Sequence, residues 1–139
     1  PNRVYVLCGD GESEEGEIWE AAMWAPHHKV DNLVAFTDLN GLQIDGATTS
    51  VTGINDLSDK WLAFGWDVID ADGNDMESVL KAFEFTHNHN GKPKMILFHT
   101  EMGHGVDFMA NNHKWHGKAP NAQECELALS QLEETLGDF

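Results

Sequence analysis

Two short runs carry the oxygen chemistry of this chain. Asp10 stands between Gly9 and Gly11, and thirty residues later Asn40 lies within Asp38-Leu39-Asn40-Gly41-Leu42. A carboxylate and an amide are hard oxygen donors of the kind Mg²⁺ takes into a near-octahedral shell, in which it keeps waters and substrate phosphates. Asp10 offers a carboxylate oxygen, Asn40 an amide oxygen and Leu42 a backbone carbonyl from the same turn. Diphosphate oxygens and a water would complete the shell. The glycines beside Asp10 let backbone N–H groups face an anion. Gly-Asp-Gly by itself is a common turn sequence; its place in the chain gives it weight.

That place is the end of a strand. Val4 to Cys8 is a near-continuous apolar run, the pattern of a parallel strand buried on both faces, and Leu33 to Thr37 is a second. Asp10 and Asn40 therefore fall just past the carboxyl ends of two strands, one β-α-β step apart, where open parallel sheets bind ligands. Between them, acids from Glu12 to Glu17 suit the positive start of a helix expected over about 17–25, with a small-residue face at Ile18, Ala21, Ala22 and Ala25 and Pro26 as its stop. Leu57, Trp61 and Phe64 have helical spacing and Gly65 ends that helix; Trp66 to Ala71 reads as a third strand.

Asn74 and Glu77 resemble a capping pair for a helix that buries Met76, Val79, Leu80 and Phe83; Met95 to His99 is a fourth strand. A long loop, about 101–118, precedes a last helix opened by Pro120, with Cys125, Ala128, Leu129, Leu132 and Leu136 as its apolar face. Alternating strands and helices predict one α/β domain over 1–139, a parallel sheet with helices on both faces. Because the chain enters a core strand almost at once, further sequence ahead of Pro1 is expected, which makes this a partial domain.

The formal net charge of −16 disfavours nucleic acid or an anionic membrane as a partner, and means that a bound diphosphate needs a metal, backbone dipoles or local cations beside it. No apolar run approaches the ~20 residues of a membrane span, and no signal pattern opens the chain, which points to the cytoplasm. Cys8 and Cys125 give no disulfide framework and read as small apolar residues. His87-Asn88-His89 and the pair His113 and His116 have spacings open to zinc, but no cysteine pair supports either.

The run Gly9-Asp10-Gly11-Glu12-Ser13-Glu14-Glu15-Gly16-Glu17-Ile18-Trp19-Glu20-Ala21-Ala22 resembles transketolases. So do the run from Asp38 to Gly46, Phe64-Gly65-Trp66-Asp67-Val68 and His113-Lys114-Trp115-His116-Gly117-Lys118-Ala119-Pro120. Gly9-Asp10-Gly11 followed by Asn40 has the spacing of the thiamine-diphosphate motif, and the likeness is greatest to the N-terminal subunit of split transketolases. The resemblance implies the thiamine-diphosphate-binding fold, lacking its N-terminal portion. It implies cofactor contacts from Gly9, Asp10, Gly11, Glu12, Asn40, Leu42, Ile44 and His116, with Asp10, Asn40 and the Leu42 carbonyl on Mg²⁺ or Ca²⁺. Gly11 would give its N–H to the diphosphate, Ile44 would touch the thiazolium ring, and His116 would lie near the reacting carbon as a catalytic residue. Glu15 and Glu20 match acids at the subunit interface. The segment Glu101-Met102-Gly103-His104-Gly105 departs from the family's usual small or apolar residue after its strand.

The implied reaction transfers a two-carbon ketol unit from a ketose phosphate to an aldose phosphate, as in the pentose phosphate pathway. It needs a separate C-terminal subunit carrying the glutamate that activates the cofactor's pyrimidine, in a homo- or hetero-oligomer; no acid here matches that glutamate, so the chain by itself is expected to be inactive. Another thiamine-diphosphate enzyme, such as a deoxyxylulose phosphate synthase or a 2-oxoacid dehydrogenase component, and a non-catalytic metal-binding module are the alternatives.

Overall fold

Four parallel strands form the central sheet in the order β1 (Val4–Gly9), β2 (Leu33–Leu39), β6 (Lys94–His99), β5 (Asp67–Asp72). The computed structural model describes residues 2–133. Leu136, expected on the last helix, lies outside them. Because side chains alternate along a strand, the sheet has two packed layers. Ala35, Met95 and Leu97 face α1 (Gly16–His27) and α3 (Leu57–Phe64) through Ala22, Ala25, Leu57 and Trp61. Val34, Ile96 and Phe98 face α4 (Met76–Phe85) through Ala82, with Val79 and Phe83 beside it. The expected parallel α/β architecture with helices on both faces is what forms.

The local signals that make these elements are chemical. Gly65 ends α3 in the left-handed conformation, φ +99°, which glycine takes without a Cβ penalty. Trp66 then enters the core and its indole N–H donates to the Ala22 carbonyl at 2.9 Å, tying α1 to the start of β5. Lys94, fully buried, donates to Asp67 Oδ2 at 2.9 Å, Asn90 Oδ1 at 2.7 Å and the Lys92 carbonyl at 3.0 Å, so its charge is met inside the fold.

Several expectations are corrected. β1 is an edge strand, and Val4, Tyr5, Val6 and Leu7 are 40–65% exposed rather than buried on both faces, because the strand order gives β1 a partner on one side only. Cys8 is accordingly half-buried, and Cys125 is exposed. Helix α1 passes through Pro26 to His27: the proline lacks the N–H that would reach the Ala22 carbonyl, and that carbonyl accepts from the Trp66 indole instead; Ala21 faces solvent. The cap of α4 is Asp75, which accepts from the Glu77 and Ser78 N–H groups, while Asn74 accepts from Glu101 N–H across the sheet edge. Met76 and Leu80 are 70% and 60% exposed, leaving Val79, Ala82 and Phe83 as the buried face of α4. In α5 (Ala122–Gln131), capped by Asn121, Ala128 is buried and Leu129 and Leu132 are not. The small polar stretch after Gly46 holds one helical turn, α2 (Thr48–Val51).

Candidate cofactor site

At the carboxyl end of the sheet a cleft of about 550 Å³ opens between the turn after β1, the turn after β2 and the long loop before α5. Gly9, Asp10, Gly11, Glu12 and Glu15 line it from the first turn; Asp38, Asn40, Leu42, Gln43, Ile44 and Asp45 from the second; His116 from the loop. The chain thus gathers around one opening the residues proposed from sequence to meet a cofactor. Glu20 stands apart, exposed on α1.

Asp10 is the pivot. The turn after β1 is a single 3₁₀ stretch, Glu12–Glu14, with Ser13 N–H bonded to the Asp10 carbonyl at 3.2 Å. Its carboxylate accepts from Gly41 N–H at 2.6 Å and from Gly11 N–H at 3.1 Å, so it bridges the two turns next to Asn40. Gly41 takes φ +75° to make this approach. Asn40 Oδ1 accepts from Leu42 N–H at 2.9 Å, shaping the start of a small hairpin of β3 (Leu42–Gln43) and β4 (Gly46–Ala47). A Cβ at Gly9 would lie 2.6 Å from Glu12 Oε2, which accepts from Gly9 N–H at the same distance, so a side chain there would have to displace the Glu12 carboxylate from its bond.

Only 2% of Asp10 is exposed, and among the described residues no Lys, Arg or His pairs with it. Burial pushes its carboxyl above the usual carboxylate range, the Gly41 and Gly11 N–H groups pull it part of the way back, and the neighbouring Asp38 charge adds to the rise. A buried carboxylate with backbone dipoles but no countercharge, beside an amide oxygen and at the mouth of a cleft, fits a hard divalent cation. Each carboxylate oxygen that accepts one N–H keeps a further lone pair for a metal. Among the described residues no group of three His, Cys, Asp or Glu side chains is placed to hold an ion. A metal here must therefore draw on amide, backbone or ligand oxygens.

Asp38 is the residue that sequence reasoning missed. It is the last residue but one of β2, lines the cleft, accepts from the Thr100 hydroxyl, and raises the Asp10 carboxyl through its charge. The signal was a second acid two residues before Asn40. Gln43 was missed as well; its amide donates to Glu14 Oε1 at 3.1 Å, and its side chain packs 3.3 Å from where a Gly11 Cβ would stand. Ile44, at the hairpin tip, is 72% exposed, an apolar side chain held out over the cleft.

The chain matches the family described as "Transketolase, thiamine diphosphate binding domain" over residues 1–136. It is 42% identical over 134 residues to an apulose-4-phosphate transketolase subunit of Phocaeicola vulgatus, covering 96% of this chain and 48% of that protein. It is 42% identical over 133 residues to the 6-deoxy-6-sulfo-D-fructose transketolase subunit SqwG of a Clostridium species, with the same coverage. The fold superposes on transketolase from Campylobacter jejuni with a TM-score of 0.87 at 30% identity, over 94% of this chain and 20% of that one. The chain spans about half the length of these two curated relatives. No helix among the described residues is long and apolar enough to cross a membrane. With the family pattern, the parallel fold and the cleft in agreement, this chain belongs to the transketolase thiamine diphosphate binding domain family.

Proposed function

We propose that the chain is the cofactor-binding part of a split transketolase, holding the diphosphate of thiamine diphosphate through Mg²⁺ or Ca²⁺. The observation that carries this is Asp10: a nearly fully buried carboxylate without a countercharge, facing the cleft that the family's cofactor motif lines. Asp10, Asn40 and the Leu42 carbonyl hold the metal. Gly9, Gly11 and Glu12 set the turn at the diphosphate end, with the Gly11 N–H turned from Asp10 to a diphosphate oxygen. Ile44 covers one side of the cofactor's ring, and His116 contacts the diphosphate on the reacting side. The bound cofactor supplies the two-carbon carrier chemistry; the chain's own part is anchoring, orientation and a site that offsets the diphosphate charge.

The rest of the machinery comes from a C-terminal partner subunit that carries the glutamate for the cofactor's pyrimidine, and Glu15 and Glu20 lie at the interface between subunits. Relatives that are named as transketolase subunits support an enzyme of more than one polypeptide. The reaction moves a two-carbon ketol unit from a ketose phosphate to an aldose phosphate, a sugar-phosphate interconversion of the pentose phosphate type, in the cytoplasm. The relatives' names specify a phosphorylated sugar, apulose 4-phosphate, and a sulfofructose, and the second widens the donor class to ketoses with a sulfonate in place of the phosphate. The assembled two-subunit enzyme should therefore transfer two carbons from ketose phosphates and leave pyruvate untouched. Turnover of pyruvate in place of ketose phosphates would assign it to a different thiamine-diphosphate reaction.

A further inference from the structure

His116 is the cleft residue that the long loop, and not the turns after β1 and β2, supplies. It sits in the long connection between β6 and α5, just after a 3₁₀ stretch, His113–Trp115, and its own backbone is held by a single bond from its N–H to the His113 carbonyl at 2.9 Å. The side chain one residue earlier is fixed far more firmly. The Trp115 indole N–H donates to the Phe108 carbonyl at 3.0 Å, and its ring meets the Phe108 ring edge-on at 5.4 Å. The Lys118 ammonium lies 3.9 Å from the centre of the Trp115 ring. Trp115 belongs to neither of the two packed layers of the sheet.

Lys118 connects this ring to α5. Its ammonium also donates to Glu124 Oε1 at 2.8 Å, while Glu124 Oε2 accepts from Asn121 N–H at 2.8 Å and Asn121 Oδ1 accepts from Glu124 N–H at 2.9 Å, the reciprocal cap that starts α5. At the other end of α5, Gln131 grips the base of the same loop: Asp107 N–H donates to Gln131 Oε1 and Gln131 Nε2 to Asp107 Oδ1, both at 2.8 Å. Gly105, at φ +87°, leaves room for Leu132, whose Cδ2 would stand 2.9 Å from a Cβ there. Helix α5 therefore braces the loop at two points, through Lys118 and through Asp107, and Lys118 carries the first of them to the ring next in sequence to His116.

We infer that Trp115 is the positioning residue for His116, and that Lys118 and the cap of α5 hold Trp115 in place for that purpose. A loop side chain that must touch a cofactor has to be held to a fraction of an ångström by its neighbours, and a lone backbone hydrogen bond leaves His116 free to swing with the 3₁₀ turn. The inference rests on the cofactor reading above and adds to it the residue through which the loop acts.

The test is a double-mutant cycle on the assembled two-subunit enzyme, read as calorimetric affinity for thiamine diphosphate at saturating Mg²⁺, with thermal midpoints recorded alongside. Trp115→Ala and His116→Ala should each weaken binding about tenfold, and the double variant should be no weaker than His116→Ala, because a residue that acts only through His116 has nothing left to act on once His116 is gone. Trp115→Phe, which keeps the ring for Phe108 and Lys118 but loses the N–H, should recover most of the loss. Should Trp115→Ala fail to fold, Trp115→Leu, which lacks both the aromatic ring and the N–H, and Lys118→Met take its place in the same cycle. Additive losses in the cycle, or a folded Trp115→Ala variant with wild-type affinity, overturn the inference. If His116→Ala binds normally while Asp10→Ala does not, the inference falls and the cofactor reading stands. If neither variant changes binding, the cofactor reading falls and takes the inference with it.

Discussion

The two ends of the parallel sheet treat a carboxylate in opposite ways. At the amino end, Asp67 opens β5 directly across from Lys94 on β6, and the buried ammonium, the Asn90 amide and Lys92 surround it. Burial raises the Asp67 carboxyl, but the Lys94 and Asn90 hydrogen bonds and the two lysine charges outweigh it and hold the group below its usual range. At the carboxyl end, Asp10 is more deeply buried and has only N–H dipoles, and its carboxyl is raised. A charge that the chain neutralises itself is a structural part. One left without a countercharge beside an open cleft is a candidate for binding something that arrives from outside.

This contrast is tested most severely by removing each carboxylate. Asp10→Ala should abolish the Mg²⁺-dependent part of thiamine diphosphate binding, a loss on the order of 100-fold or more, since losing a ligand costs at least what losing an outer-shell partner does. Water entering the cleft can satisfy the freed Gly11 and Gly41 N–H groups, so its thermal midpoint should move little. Asp67→Ala should do the reverse. Stranding the buried Lys94 cation should cost about 3 kcal/mol of stability in denaturant titration, with cofactor affinity unchanged in the folded fraction. If Asp67→Ala weakened cofactor binding as much as Asp10→Ala did, the two ends would not be separate devices.

The pH dependence sharpens the same contrast, because the two shifts have opposite signs. Asp67, lowered in the fold, contributes stability that is present above the unfolded carboxylate value and lost as pH falls through its folded one. Asp10, raised in the fold, favours the folded cofactor-free protein below the unfolded value, and that contribution is lost as pH rises through its folded one. Thermal midpoints against pH should therefore lose part of their acid-side fall in Asp67→Ala, Glu124 being lowered as well, and a separate step, above the ordinary carboxylate range, in Asp10→Ala. Because the metal takes the ionised carboxylate, cofactor binding should release protons and weaken as pH drops into the Asp10 window. Proton release that is identical in wild type and Asp10→Ala would contradict this.

Trp66→Phe, which removes the bond to the Ala22 carbonyl, should cost about 1 kcal/mol by the same titration. Glu77→Gln is the control, since its partner Lys81, 2.7 Å away, is itself exposed on α4, and the change should stay within about 0.5 kcal/mol. A larger effect would mean that pairing by itself, and not burial, separates Asp67 from Asp10.

The site was largely legible because it is local. Strand, glycine turn and acid come within a few residues of each other, so Asp10 and Asn40 could be placed at the sheet edge from periodicity, and the cleft gathers them as expected. What could not be read depends on neighbours distant in sequence. Val4–Leu7 carry the composition of a doubly covered strand, but exposure follows from strand order, which no pattern within β1 encodes. Met76 and Leu80 have helical spacing with Val79 and Phe83, yet only part of that stripe meets the sheet. Lys94 reads as the polar start of a strand, and its burial becomes sensible only once Asp67, on another strand, is beside it. The shift of a helix cap from Asn74 to Asp75 is a competition between two adjacent good caps, decided when Glu101 N–H claims Asn74.

The most direct test is calorimetric titration of thiamine diphosphate into the assembled enzyme, with Mg²⁺ and after chelation, for wild type and Asp10→Ala. Tight binding that requires both the metal and the Asp10 carboxylate is the predicted result. Equal affinity without the metal, or in the variant, would contradict the assignment of this buried acid to a cation that bridges protein and diphosphate.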